Sequence, residues 1–128
     1  MLSVSQLLVI MLGGAVGAAA RFIVSTKITE KLGNSFPYGT LTVNMVGSFV
    51  MGLLAIILVE RMQLDPLYRL GIFVGFLGAF TTFSTFSMET LNLFNEGMPM
   101  RALLNMFSSV LLSVLAVWLG VLIGKAVS

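Results

Sequence analysis

Residues 81–87, TTFSTFS, set five hydroxyl side chains, Thr81, Thr82, Ser84, Thr85 and Ser87, around Phe83 and Phe86 in a stretch otherwise apolar enough to cross a membrane. Hydroxyls donate hydrogen bonds without bringing a charge, and the edge of an aromatic ring is electropositive. Such groups can hold a small anion without trapping it against a fixed cation. Two further polar sets lie in apolar surroundings. Asn44 falls within GTLTVNMVGSFVMG (39–52), and Asn105, Ser109 and Ser113 recur every four residues, on one face of a helix. Each has an ordinary reading beside the chemical one: phenylalanine packs, a membrane asparagine ties helices together, and a single serine back-bonds to its own helix. Three polar residues in register point further, to a wet track.

Other chemistries are excluded by residue type. The chain has no cysteine and no histidine, which removes disulfides, thiolates, imidazole acid–base work and zinc ligation by these residues. Glu30, Glu60, Asp65 and Glu96 fall in loops or at span ends, with no acid–base pair or nucleophile beside them, so no enzyme constellation is formed. The formal charge of +2 is too small an excess to indicate nucleic acid as a partner.

The elements that position these residues are membrane helices. Of 128 residues, 58% are hydrophobic and 9% charged, far from the roughly 25% charged residues of soluble domains. The charges leave uncharged runs at 2–20, 32–59, 70–88 and 102–124, each long enough, at about 1.5 Å per residue, to approach the roughly 30 Å of a bilayer core. The expectation is one all-α transmembrane domain over residues 1–128, with helices near 3–26, 38–60, 67–94 and 99–126. The first run lacks a basic segment ahead of it and is too long for a signal core, so it counts as a helix. Glycines at 13, 14, 17, 47, 52, 71 and 75 allow close helix crossings, whereas GGAVGAAAR (13–21) has neither the spacing nor the strand context of a phosphate loop. Arg21 either snorkels to the headgroups or forms an electropositive vestibule.

In the third span, Gly71, Gly75 and Gly78 precede the threonine cluster. Glycine and β-branched threonine weaken a helix, and free backbone at membrane depth survives only in protein or along a cavity. A third helix broken near 78–82 is therefore expected. Orientation is nearly unbiased: Arg61, Arg69, Lys125 and the amino terminus lie on one side, and Lys27, Lys31 and Arg101, with Arg21 if it snorkels that way, on the other. Both orientations could then insert with similar probability, which points to an antiparallel, dual-topology homodimer with its two-fold axis in the membrane plane; the ordinary reading is that so weak a bias merely reflects a small chain with short loops.

GGAVGAAAR (13–21), GTLTVNMVGSF (39–49) and GFLGAFTTFSTFSMET (75–90), in this order in a four-helix chain, resemble the Fluc/CrcB fluoride channel family. The resemblance implies a passive, fluoride-selective channel of the bacterial inner membrane, an antiparallel homodimer in the lipid bilayer with two pores built from both subunits. It implies that the ring edges of Phe83 and Phe86 line the fluoride path, that Asn44 hydrogen-bonds the ion and that Arg21 is the vestibule arginine. Backbone carbonyls of Gly78 and Thr81 would hold a structural sodium ion, Na+, on the two-fold axis. Ser109 and Ser113 match a polar track, with Thr40 and Glu89 near one pore end. At Asn105 related channels can carry a tyrosine, so this sequence departs from the pattern there. The hydroxyls of Thr82, Ser84 and Thr85 flank the rings and belong to the expected path. The rival reading is a small dual-topology multidrug or cation transporter, which wants a membrane-embedded carboxylate in the first helix; residues 2–20 contain none.

Overall fold

The computed structural model describes residues 1–128 and is helical throughout, with no strand. Four spans are long and apolar enough to cross a membrane: α1 (Val4–Leu32), α2 (Tyr38–Arg61), a third span Pro66–Asn95 and α5 (Pro99–Val127). The third is divided into α3 (residues 66–80) and α4 (Phe83–Asn95).

Local chemistry sets most of the ends. Ser3 opens α1 in a reciprocal box, its hydroxyl accepting from the Gln6 amide at 3.1 Å while the Gln6 side chain accepts from the Ser3 amide at 3.0 Å. Asp65 caps α3 by accepting from the Leu67 amide at 2.9 Å, with Pro66 in the first turn, where a missing N–H costs nothing. α1 continues to Leu32, past the expected end at 26, and stops at Gly33, whose φ of 82° suits a residue without Cβ. Residues 25–32 carry Lys27, Glu30 and Lys31 and leave the apolar zone without leaving the helix. Hydropathy marks the edge of the membrane, and the helix runs on beyond it. The α1–α2 connection is accordingly short, residues 33–37.

α1 packs on α3, and α2 packs on α5. Both crossings depend on glycine. A Cβ on Gly75 would lie 2.7 Å from the Ile10 carbonyl oxygen and 3.2 Å from the Gly13 Cα, so α1 and α3 touch backbone to backbone. On the other side a Cβ on Gly120 would meet the Leu53 amide at 2.8 Å. Close approach of this kind supplies the dispersion contacts that replace a hydrophobic driving force between helices in lipid. The helices widen into π turns over Ala55–Arg61 and Leu70–Leu77. Only 18 of 128 residues are buried, so most apolar side chains point outward, where lipid is the solvent.

At the break, Thr81 (φ −89°, ψ 158°) and Thr82 (φ −151°, ψ 123°) are extended, which ends α3 and starts α4 in the middle of a span. Thr82 caps the new helix, its hydroxyl accepting from the Thr85 amide at 3.2 Å. Threonine fits both demands: its branched Cβ favours extended backbone, and its hydroxyl replaces a lost backbone partner.

Candidate functional site

The break is held by side chains from two other spans. Asn44 of α2 faces Thr82 in a two-bond ring: the Thr82 amide donates to Asn44 Oδ1 at 2.8 Å, and Asn44 Nδ2 donates to the Thr82 carbonyl at 3.1 Å. Arg21 of α1 donates its Nε–H to the Ala79 carbonyl at 2.9 Å, placing a cation at the C-terminal end of α3, where the helix dipole favours one. The Thr82 amide would ordinarily close a helical bond onto Gly78, but it is taken by Asn44. The carbonyls of Gly78 and Thr81 accept no backbone bond. Two hard oxygen donors thus lie unclaimed beside the break, and Gly78 is exposed at the surface of the chain.

Next to the break opens a cleft of about 380 Å³ whose lining includes Asn44, Thr82, Phe83, Phe86, Ser109 and Ser113 and contains no charged side chain. The rings of Phe83 and Phe86 are 5.4 Å apart between centroids and tilted by 49°. Phe86 is buried, while Phe83 is 76% exposed on the open side of the cleft. Thr82, Ser84 and Thr85 form one hydroxyl cluster at the start of α4, with Thr82 Oγ1 3.3 Å from the Ser84 hydroxyl and donating to Thr85 Oγ1 at 3.1 Å.

Deeper on the same side a buried polar chain links α4 to α5. Ser109 donates to Asn105 Oδ1 at 3.2 Å, Asn105 Nδ2 donates to Thr90 Oγ1 at 2.9 Å, and Thr90 donates to the Phe86 carbonyl at 2.8 Å. Asn105 is 1% exposed and lines no part of the cleft; it braces Ser109 from behind. Thr40, Thr85 and Glu89 meet in a second, polar cleft of about 340 Å³ together with Ser25, Thr26, Thr29 and Glu30. Glu89 Oε1 is buried there and accepts no hydrogen bond.

The expected residues therefore fall into groups. Asn44, Thr82, Phe83, Phe86, Ser109 and Ser113 share the first cleft, and Thr40, Thr85 and Glu89 the second. Ser84 joins the hydroxyl cluster from an exposed position, and Arg21 lines neither cleft. Sequence reasoning missed Thr90, the middle member of the buried chain, and Ser48, which lines the first cleft. Helical spacing carried a signal for both: Ser48 lies one turn after Asn44 and Thr90 one turn after Phe86.

A model of the family described as CrcB-like protein, Camphor Resistance (CrcB), matches residues 8–121. The chain belongs to the CrcB family. Curated relatives agree. A fluoride-specific ion channel of Magnetococcus marinus is 51% identical over 122 residues, covering 95% of this chain and 99% of the relative. One of Acidobacterium capsulatum is 48% identical over 116 residues, covering 91% and 93%. A third, of Methylococcus capsulatus, is 51% identical over 120 residues, which cover 94% of this chain and 53% of that protein. The part of the chain matched by the CrcB model, residues 8–121, contains both clefts and the break.

Proposed function

We infer that the chain is a fluoride-selective passive ion channel that exports cytoplasmic fluoride across a bacterial inner membrane. The observation that carries this reading is the first cleft: a largely apolar cleft beside a helix break, whose lining brings together an amide, hydroxyls and the rings of Phe83 and Phe86 with no charged group. Fluoride is small and strongly hydrated, so a pore must replace its water with hydrogen-bond donors. Conduction also requires a site that the ion can leave, and neutral donors meet both needs. Three relatives carrying the name fluoride-specific ion channel, matched over nearly all of this chain, support the same ion. No carboxylate lines this cleft, so its lining offers no proton-coupling group, which favours a passive channel over a pump.

The working unit is an antiparallel homodimer with two pores. Its support is the open side of the cleft, where Phe83 stands 76% exposed beside polar groups. A second copy closes that side, and two copies carry two clefts. The carbonyls of Gly78 and Thr81 suit a sodium ion shared between the copies, since hard cations take oxygen donors. Bound there, the ion supplies a fixed positive charge at a low-dielectric interface.

One observation favours a second reading, a coupled cation or drug transporter: the buried, unpartnered Oε1 of Glu89. That carboxylate belongs to the second cleft, with Glu30, and lines no part of the first. Efflux from liposomes separates the two. The purified protein is expected to release fluoride rapidly without proton counterflow, to retain chloride, and to lose the flux in Phe83→Ile. Drug-stimulated proton flux with fluoride retained would establish the transporter instead.

A further inference from the structure

A helix interrupted at membrane depth leaves backbone groups that must be partnered or must serve a ligand. Around this break two other spans partner them selectively. Arg21 takes the Ala79 carbonyl, and Asn44 takes both the amide and the carbonyl of Thr82. The carbonyls of Gly78 and Thr81 are among those given no partner.

We propose that Arg21 and Asn44 are positioning residues that clamp the backbone on either side of the break, so that the Gly78 and Thr81 carbonyls are the ones presented to a monovalent cation. The bond also fixes how Asn44 itself can act. The Thr82 amide can donate only to an oxygen, so Oδ1 is turned to the backbone and Nδ2 is the group that remains. One Nδ2 hydrogen goes to the Thr82 carbonyl, and the second is free for the cleft that Asn44 lines. The clamp thereby keeps the repelling end of the amide away from an anion. Arg21 works at the back of the break through Nε, and its charge is not in the donor path.

The contacting atom makes the inference testable. The side-chain nitrogen of glutamine lies at the same number of bonds from the backbone as arginine Nε, so Arg21→Gln keeps a donor and loses the charge. Lysine has a carbon at that place, so Arg21→Lys keeps the charge and displaces the donor. Hydrogen exchange of residues 78–86 is measured by mass spectrometry on the purified full-length protein, in sodium chloride and in N-methylglucamine chloride, together with fluoride efflux from liposomes. The parent and Arg21→Gln are expected to be protected by sodium. Arg21→Lys and Asn44→Ala are expected to exchange at least tenfold faster over this segment and to lose the sodium effect, with helix content unchanged by circular dichroism. Fluoride flux should be at least tenfold higher in Arg21→Gln than in Arg21→Lys. The reverse order, lysine protected and conducting while glutamine is neither, overturns the clamp and makes the charge the function. Equal protection in parent, Arg21→Lys and Asn44→Ala overturns it as well. If Arg21→Lys does not fold, Asn44→Ala against the parent carries the test by the same exchange criterion. The flux measurement rests on the channel reading but the exchange measurement does not: a parent silent toward fluoride sinks that reading and leaves the clamp to be judged by exchange alone.

Discussion

A serine in this protein acts through whatever faces its hydroxyl, and two positions on the same helix face differ in this respect. Ser113 lines the cleft directly, whereas Asn105, two turns away, is buried and bonded to Thr90 and Ser109. In the proposed channel, removing the Ser113 hydroxyl takes away a donor to the ion. A hydrogen bond to a charged group contributes about 1.5 kcal/mol or more, so Ser113→Ala should slow fluoride efflux on the order of tenfold while the melting midpoint of the purified protein stays put. Thr90→Val keeps the shape but leaves Asn105 Nδ2 buried without its acceptor, at a cost of about 1–3 kcal/mol. Its midpoint should fall, and a Thr90→Ser variant, which retains the hydroxyl, should recover most of the loss. Asn44, Asn105 and Ser109 are legible in the sequence because an amide or an ordered row of hydroxyls in an apolar helix is costly without a partner. The work of Arg21 is not legible, because its partner is a backbone carbonyl 58 positions away and any residue type could supply it. Thr90 escapes notice for a different reason: it follows Glu89, where the span is already turning polar and one more hydroxyl does not stand out.

At the scale of helices, which glycines are required depends on where the opposite backbone lies. A Cβ on Gly75 would meet the Ile10 carbonyl at 2.7 Å, but one on Gly14, a turn away on the same crossing, would find its nearest neighbour, the Gly75 carbonyl, at an ordinary 3.8 Å. Gly14→Ala should therefore be neutral or slightly stabilising, since alanine is the better helix former. Gly75→Ala must push α1 off α3 and is expected to cost about 1–3 kcal/mol, as overpacked sites do. Thermal aggregation followed by size-exclusion chromatography ranks the two variants; equal midpoints would mean that the crossing is looser than the structure has it. In the sequence, both glycines simply read as small. The number of spans and the broken third helix are readable, because hydropathy counts crossings and a glycine–threonine cluster weakens a helix in any context. The continuation of α1 to Leu32 is not, because Lys27, Glu30 and Lys31 mark the membrane edge and are good helix formers at once. The π turns at Ala55–Arg61 and Leu70–Leu77 leave no mark in composition either.

For the whole molecule, the features that bear on the proposed dimer are an open cleft and a nearly balanced charge distribution. Phe83 stands exposed at the open side of the cleft, and, Arg21 aside, the helix ends on the two sides carry three basic side chains each: Arg61, Arg69 and Lys125 against Lys27, Lys31 and Arg101. Basic residues are retained in the cytoplasm, so the proposed dual topology requires a chain with little excess on either end. A small added bias should then decide the orientation. Met62→Lys with Tyr68→Lys adds two charges at exposed positions on one end, and Asn34→Lys with Ser35→Lys adds two at exposed positions on the other. None of these four residues lines the first cleft, so the pore chemistry is untouched. Each double variant produced alone should insert one way only, leave its clefts open for want of an inverted partner, and fail to protect a fluoride-sensitive strain on fluoride plates. Produced together, the two populations are each other's inverted partner, and resistance should return to the level of the parent. Full protection by either variant alone would mean that one orientation suffices, and would require the missing wall of the cleft to come from a parallel copy or from lipid.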